Sequence, residues 1–131
     1  NGGAANGIFV SGNDVHIVGT YNASSDRAWY WKNGSIIDLN NGYGANELFI
    51  TGNDVYVAGF NDSYNAAYWK NGTMVNLTDG ASANAIYVAG NDVYVAGKTL
   101  SNIPCYWKNG QKTTLSSNTD WRNKATDIFY R

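Results

Sequence analysis

The chain repeats itself about every 40 residues, and this period restricts its fold more than any other feature. Each repeat opens with Ala-Asn or a close variant, followed by an apolar run of the kind found in strands. A repeat of this length is one supersecondary unit, which buries its apolar surface by stacking against its neighbours. The chain is therefore predicted to be modular. The repeats open at Ala5, Ala45, Ala83 and Ala125.

Two turn signals recur inside each repeat. Gly-Asn-Asp predicts a tight turn, because Gly and Asn accept positive φ and Asp bonds nearby backbone groups. An aromatic pair followed by Lys-Asn-Gly predicts a hairpin, since a type I′ turn needs positive φ at both central residues. Helical periodicity is absent, so four short strands are expected in each repeat. The tripeptides lie at 12–14, 52–54 and 90–92, and the hairpin segments at 30–34, 68–72 and 106–110.

Four antiparallel strands at this period are typical of a β-propeller blade. The apolar stretch and turn at 86–97 resemble the first two strands of NHL, YVTN and kelch-type propellers. With the Tyr-Trp-Lys-Asn-Gly hairpin, the chain is similar over essentially its whole length to uncharacterised bacterial secreted or lipoprotein propellers. This resemblance implies an all-β propeller segment of three four-stranded antiparallel blades plus the first strand of a fourth. The blades are expected at about 5–44, 45–82 and 83–124, with the extra strand at 125–131.

The apolar pattern also predicts how the sheets are covered. The first two strands of each repeat are nearly continuous apolar runs, as expected for a sheet with both faces buried. Neighbouring blades would cover those faces, and the regular Tyr-Trp pair is expected to pack between blades. The last strand carries polar residues and is expected to form an exposed outer edge. Those polar residues are Asp38, Asn76 and Thr114.

Three repeats are too few for an ordinary ring, since propellers close with about four to eight blades. Two blade faces would stay open and favour association. Three interpretations follow. The chain is a piece of a longer propeller, two copies form a six-bladed ring, or the surplus last strand docks on the next subunit and builds a filament. The expected partners are thus the chain itself or further blades of a longer chain.

Composition limits the other partners. Hydrophobic residues make up 44% and aromatic residues 15% of the chain, which suits a folded domain. A formal net charge of −1 gives no support for nucleic-acid binding. No apolar run approaches the roughly 20 residues of a membrane-spanning helix, so no membrane insertion is expected. Cys105 is the single cysteine, which excludes an intrachain disulfide and a cysteine-based metal site. We expect no cofactor and no metal.

No catalytic group is predicted. His16 is the single histidine and takes the place of Tyr56 and Tyr94 in the other repeats, as a strand residue would. A catalytic histidine would need a positioned partner, and none is evident. The aspartates of the Gly-Asn-Asp turns are explained by the turns themselves. Cys105 is expected to be a buried, inert thiol.

Aromatic residues outside the repeat pattern are the candidates for ligand binding, because loops on a rigid scaffold commonly carry recognition. Five sequons also make glycosylation conceivable in a suitable compartment. The aromatic candidates are Tyr21, Trp29, Tyr43, Tyr64 and Trp121. The sequons start at Asn22, Asn33, Asn61, Asn71 and Asn76.

The leading functional hypothesis is a non-enzymatic extracellular or cell-surface propeller that acts as a structural or interaction module. Self-assembly would proceed through its open blade faces or the surplus strand. The alternative is a lectin-like propeller that binds glycans with its aromatic residues. A third hypothesis is a fragment of a larger propeller enzyme whose site other blades complete.

Overall fold

A computed structural model describes residues 2–22 and 26–115. These residues form twelve β-strands and no helix, which confirms the predicted all-β class. The sequence positions predicted as an extra strand, 125–131, lie outside the described residues. The strands are β1 (Gly2–Ser11), β2 (Asp14–Asn22), β3 (Arg27–Lys32), β4 (Ser35–Asp38), β5 (Gly42–Thr51), β6 (Asp54–Asn61), β7 (Ala66–Lys70), β8 (Thr73–Asn76), β9 (Gly80–Ala89), β10 (Asp92–Thr99), β11 (Pro104–Lys108) and β12 (Gln111–Thr114).

The strands make three four-stranded antiparallel sheets, each with its strands in sequence order. The first sheet holds β1 to β4, the second β5 to β8 and the third β9 to β12. The opening strands of the second and third sheets begin at Gly42 and Gly80, three residues before the repeat starts Ala45 and Ala83. The last strand of each sheet is a largely exposed edge, as its polar sequence predicts.

The Asn-Gly hairpins form as predicted. Asn71 and Gly72 both have positive φ, 51° and 86°, and the other two hairpins match them. The same Asn ties two turns together: Nδ2 of Asn71 donates to a carboxylate oxygen of Asp54 at 2.9 Å. Its Oδ1 accepts from the backbone N–H of Val55 at 2.9 Å. Equivalent bonds join Asn33 to Asp14 at 2.8 Å and Asn109 to Asp92 at 2.9 Å. The two recurring turn motifs are thus each other's partners.

The sheets stack side by side through their opening strands. β5 packs against β1, β2 and β3, and β9 packs against β5, β6 and β7. The second sheet is therefore covered on both faces, which is the arrangement that its continuous apolar runs predict. Two clusters of buried apolar residues fill the two spaces between sheets.

Each interface is built around one buried tryptophan. Trp69 of the second sheet and Trp107 of the third are both 0% exposed. The indole N–H of Trp69 donates to the carbonyl of Asn40 at 3.1 Å, just past the end of the first sheet. Trp107 makes the same bond to the carbonyl of Thr78 at 3.1 Å. The prediction that the Tyr-Trp pair packs between neighbouring repeat units is confirmed for these two tryptophans, which pack between neighbouring sheets.

The Ala-Asn repeat starts provide a second link between sheets. Asn6 and Asn46 are each the extra residue of a β-bulge in the opening strand. Nδ2 of Asn6 donates to the carbonyl of Ala45 at 2.8 Å, and Nδ2 of Asn46 donates to the carbonyl of Ala83 at 2.9 Å. The extra residue of a bulge does not follow the regular alternation of side chains between the two faces of the strand. The Asn side chain can therefore reach the next sheet.

Gly80 lies where two sheets approach each other closely. A Cβ at this position would lie 2.5 Å from Cβ of Ala66 and 2.7 Å from the Trp107 ring. A Cβ at Gly42 would likewise lie 2.8 Å from Cβ of Ala28 and 2.8 Å from the Trp69 ring. Gly2 holds the equivalent place in the first sheet, where a Cβ would meet nothing within 4 Å.

Gly80→Ala is expected to destabilise the protein by about 1–3 kcal/mol, because a methyl group would push the Trp107 ring out of its place. Gly2→Ala is the matched control and is expected to be neutral. Urea unfolding followed by fluorescence measures both. Equal stabilities of the two variants would contradict the close packing of the sheets.

Candidate binding surfaces

Two of the aromatic residues singled out from the sequence come together. The rings of Tyr43 and Tyr64 have centroids 4.9 Å apart, and Phe60 lies 5.5 Å from Tyr43. Tyr43 is at the start of β5, and Tyr64 is in the loop between β6 and β7. The pKa of Tyr43 is raised above its ordinary value. The main cause is a hydrogen bond between its hydroxyl and Tyr64, and a hydrogen bond to Asp26 adds to the effect.

The other aromatic candidates lie elsewhere. Tyr21 and Trp29 form a separate pair in the first sheet, with centroids 6.1 Å apart. The indole N–H of Trp29 is buried and has no acceptor among the described residues. Its ring lies against Gly19, where a Cβ would be only 2.5 Å away. Trp121 lies outside the described residues.

Tyr64 has a backbone conformation that is unusual for an aromatic residue. Its φ is +62°, in the left-handed region, and its side chain is 58% exposed. Asn102 holds the equivalent place in the third sheet with φ of +63°. Asn tolerates this conformation because its short polar side chain can form hydrogen bonds with nearby backbone groups. The Tyr side chain cannot form these bonds, so the conformation is less favourable for it.

A cleft of about 560 Å³ opens between the second and third sheets at the loop edge. Its lining is rich in amides and carboxylates. The β6–β7 loop forms one wall, and the segment from β8 to the start of β9 forms another. The polar lining includes Asn41, Asn61, Asp62, Asn65, Asn76 and Asp79.

Asn61 organises this cleft, whereas the sequence predicts only a sequon at this position. It is 6% exposed, and its Oδ1 accepts from the backbone N–H groups of Ser63 and Asn65 at 3.0 Å each. Its Nδ2 donates to Oδ1 of Asn76 at 3.1 Å. In the third sheet, the hydroxyl of Thr99 accepts the two equivalent N–H bonds. An Asn or Thr at the end of the second strand is the sequence signal for this loop.

The sequon residues occupy different environments. Asn33 and Asn71 are engaged in the turn contacts described above. Asn61 is buried, so a glycan there would require the loop to open. Asn76 is exposed at the cleft, and Asn22 is exposed at the end of β2. The rest of the Asn22 sequon lies outside the described residues.

His16 lies in the interface between the first and second sheets and is 3% exposed. Its Nδ1 is 2.7 Å from the hydroxyl oxygen of Tyr30, in hydrogen-bond contact, and the two rings are stacked. Burial and the nearby Lys32 lower the pKa of His16, and Asp14 opposes them. This environment fits the strand role expected from the sequence, because the equivalent residue Tyr56 is also buried.

Cys105 is 0% exposed, which confirms that it is buried. Burial raises its thiol pKa to about 11, so it is almost wholly protonated at neutral pH. Within residues 2–22 and 26–115, no group of three or more His, Cys, Asp or Glu side chains is placed to hold a metal ion. Over the same ranges we find no helix with the length and apolar character needed to span a membrane.

The outer face of the first sheet repeats the apolar row that is buried in the other two. In the second sheet the row crosses Leu48, Val57 and Trp69, which are all at most 2% exposed. The third sheet buries its equivalent row, including Trp107. In the first sheet Ile8 is 63% exposed and Ile36 is 48% exposed. We call this row the first-sheet end face; it consists of Ile8, Ile17, Trp31 and Ile36.

The outer face of the third sheet has the opposite character. Leu39 and Leu77, which follow the first and second sheets, are 5% and 3% exposed because the next sheet covers them. Leu115 is their equivalent and is 58% exposed. Beside it lie small and aromatic residues that match the covered faces of the first two sheets. This third-sheet end face consists of Ala96, Pro104, Tyr106 and Leu115, of which Leu115 is exposed, Tyr106 is half-buried, and Ala96 and Pro104 are buried.

No family model and no curated protein sequence matches the chain. Among solved structures, the chain is similar to the crystal structure of the computationally designed Ika4 protein, with 16% identity and a TM-score of 0.56. The similarity covers 98% of this chain and 80% of that chain. At this identity the likeness concerns the fold, and it accords with an all-β arrangement of stacked four-stranded sheets.

The buried His16 generates a prediction about pH. Its folded-state pKa lies below the ordinary value of 6.5, so the unfolded chain binds the proton more readily. Stability is therefore full above about pH 6.5 and falls as the pH drops below it, by at most about 1.4 kcal/mol per pH unit for one proton. His16→Tyr, which copies the other repeats, should remove this loss.

Thermal unfolding of both proteins between about pH 8 and pH 5 provides the measurement. Titration of Asp14 does not interfere, since its pKa is lowered from 3.8 by its bond to Asn33 and by Lys32. An identical decline in the two proteins would contradict a role for His16.

Proposed function

We propose that the protein is a non-enzymatic structural and interaction module of the β-propeller type, which pairs head to tail with a second copy of itself. In this pairing, the third-sheet end face of one copy covers the first-sheet end face of the other. Two such contacts would close a ring of six sheets. The supporting observation is that the two end faces match the two sides of an interface that the chain already makes twice.

The match extends to individual side chains. In the internal interfaces, Trp69 and Trp107 lie beneath residues that include Leu39 and Leu77 respectively. Trp31 is the corresponding tryptophan on the first-sheet end face, and Leu115 is the corresponding leucine on the third-sheet end face. Burying a large apolar side chain contributes about 1.5–3 kcal/mol, so a contact with several of them favours association.

The contact between copies would differ from the internal interfaces at Trp29 and Pro104, among other positions. Trp29 stands where the other sheets have Ala67 and Cys105. Pro104 stands where the other sheets have Ala28 and Ala66. Both replacements add apolar surface, which favours burial, although the bulkier Trp29 requires the incoming sheet to sit further from β3.

A head-to-tail contact makes a prediction that a symmetric face-to-face contact does not. Trp31→Lys disrupts the first-sheet end face, and Leu115→Lys disrupts the third-sheet end face. In each variant, association would bury the charge of the new lysine in the contact between copies. Each variant alone is expected to be monomeric. A mixture of the two retains one intact pair of faces, so it should form a mixed dimer, and the unmodified chain should form a dimer of its own.

Sedimentation equilibrium of each protein and of the mixture tests this assembly. Leu100→Lys is the matched control, because Leu100 is 60% exposed in a loop away from both end faces and its variant should still dimerise. A monomeric unmodified chain would contradict the proposal, and so would a mixture that stays monomeric. Open-ended polymers would contradict closure of the ring.

A further inference from the structure

The cleft between the second and third sheets has features that neither stacking nor strand pairing requires. The β6–β7 loop, residues 62–65, follows the same path as the β10–β11 loop, residues 100–103. Both are closed by a backbone bond of 2.9 Å, from Asn61 to Asn65 and from Thr99 to Ile103. Because the loop fold is the same, the side chains on it are free to differ.

The side chains of the two loops differ in polarity and in the presence of an aromatic ring. The second-sheet loop carries Asp62, Tyr64 and Asn65, whereas the third-sheet loop carries Leu100, Asn102 and Ile103 at the equivalent places. The second-sheet loop lines the cleft through Asp62, Ser63 and Asn65, and the third-sheet loop lines it through Leu100. The second-sheet loop is the polar one, and it carries the exposed ring of Tyr64. Its tyrosine also holds the left-handed conformation that suits asparagine, which destabilises the loop.

The lining offers both donors and acceptors without a strong net charge. Oδ1 of Asn76 accepts from Asn61, and Nδ2 of Asn76 carries two N–H donors of its own. The carboxylate of Asp79 is paired at 3.1 Å with Lys112, and Asp62 supplies a further acceptor. Carboxylates at the rim disfavour an anionic ligand, because like charges repel.

We propose that this cleft binds a neutral carbohydrate, with the amide groups of the lining bonding its hydroxyls. Tyr64 lies in the chain between the lining residues Ser63 and Asn65, outside the lining itself, and its exposed ring would stack on the apolar face of the sugar at the rim. A pyranose ring has hydroxyls around its rim and C–H groups on its faces, which matches amides beside an aromatic side chain. The Tyr64 ring packs against Tyr43, as described above, and is stacked with Phe60 at a centroid distance of 6.5 Å. This site does not depend on the pairing of end faces.

The third repeat supplies the matched variant. Tyr64→Asn puts the residue of the third-sheet loop into the same left-handed position, so the fold is retained and the thermal midpoint should rise. A triple variant, Asp62→Leu with Tyr64→Asn and Asn65→Ile, converts the whole loop to its third-sheet form. Tyr21→Ala removes another partly exposed aromatic ring, away from the cleft, and is the control.

The probes are glucose, galactose, mannose, N-acetylglucosamine, lactose and cellobiose at millimolar concentration, followed by saturation-transfer NMR with the full chain. We expect at least one of them to bind. Tyr64→Asn should weaken that binding about tenfold, the triple variant should abolish it, and Tyr21→Ala should leave it unchanged.

Three results would overturn the proposal: no binding of any neutral sugar, binding that survives the triple variant, or binding only of acidic sugars such as glucuronic acid. The outcome is separate from that of self-association, because Asp62, Tyr64 and Asn65 lie in the β6–β7 loop of the second sheet, outside both end faces. A monomer that binds sugar through Tyr64 would refute the proposed pairing and support the cleft.

Discussion

The insertion of one tryptophan per interface between neighbouring sheets is the interaction on which the rest of the structure depends. Each buried indole fills the space between two sheets and donates its N–H to the segment that ends the preceding sheet. The glycines at the closest approach make room for it, and the Asn side chains of the bulges fix the spacing of the opening strands. Burial supplies the driving force, and the polar contacts set the geometry.

A structure stabilised in this way has no natural end. Every sheet offers an apolar row on one side and a smaller face with a leucine on the other. The three sheets of the described residues therefore form two interfaces, and Ile8 and Ile36 at one end and Leu115 at the other stay exposed. This is the common property of stacked repeats, in which each unit contacts only its neighbours. The exposure of Ile8 and Leu115 follows from their place in the series, since their equivalents Leu48 and Leu77 are buried.

Much of the fold is predictable from the sequence, because the repeated signals act locally. The Asn-Gly hairpins and the Gly-Asn-Asp turns depend on φ preferences of single residues. Their mutual contact through Asp54 and Asn71 is not predictable in this way, since it requires knowing that both turns meet at one edge. The Ala-Asn starts were recognised as a repeat, but the bulge that directs Asn46 sideways has no clear signal in the apolar pattern.

The candidate site was predictable only in part. Tyr43 and Tyr64 departed from the repeat, and this departure marked them before their rings were seen to meet. Asn61 and Asn76 carry only a sequon signal in the sequence, because a buried amide that shapes a loop cannot be distinguished from a surface one by sequence alone. Long-range placement of side chains decides such cases.

Hydrogen exchange of the tryptophan indole groups, followed by NMR over a range of protein concentration, tests the central claim most directly. The account predicts that Trp69 and Trp107 exchange slowly at every concentration, because each is buried between sheets. Trp31 should exchange quickly in dilute solution and become protected as the concentration rises and a second copy covers it. Rapid exchange at Trp69 or Trp107, or exchange at Trp31 that does not change with concentration, would contradict it.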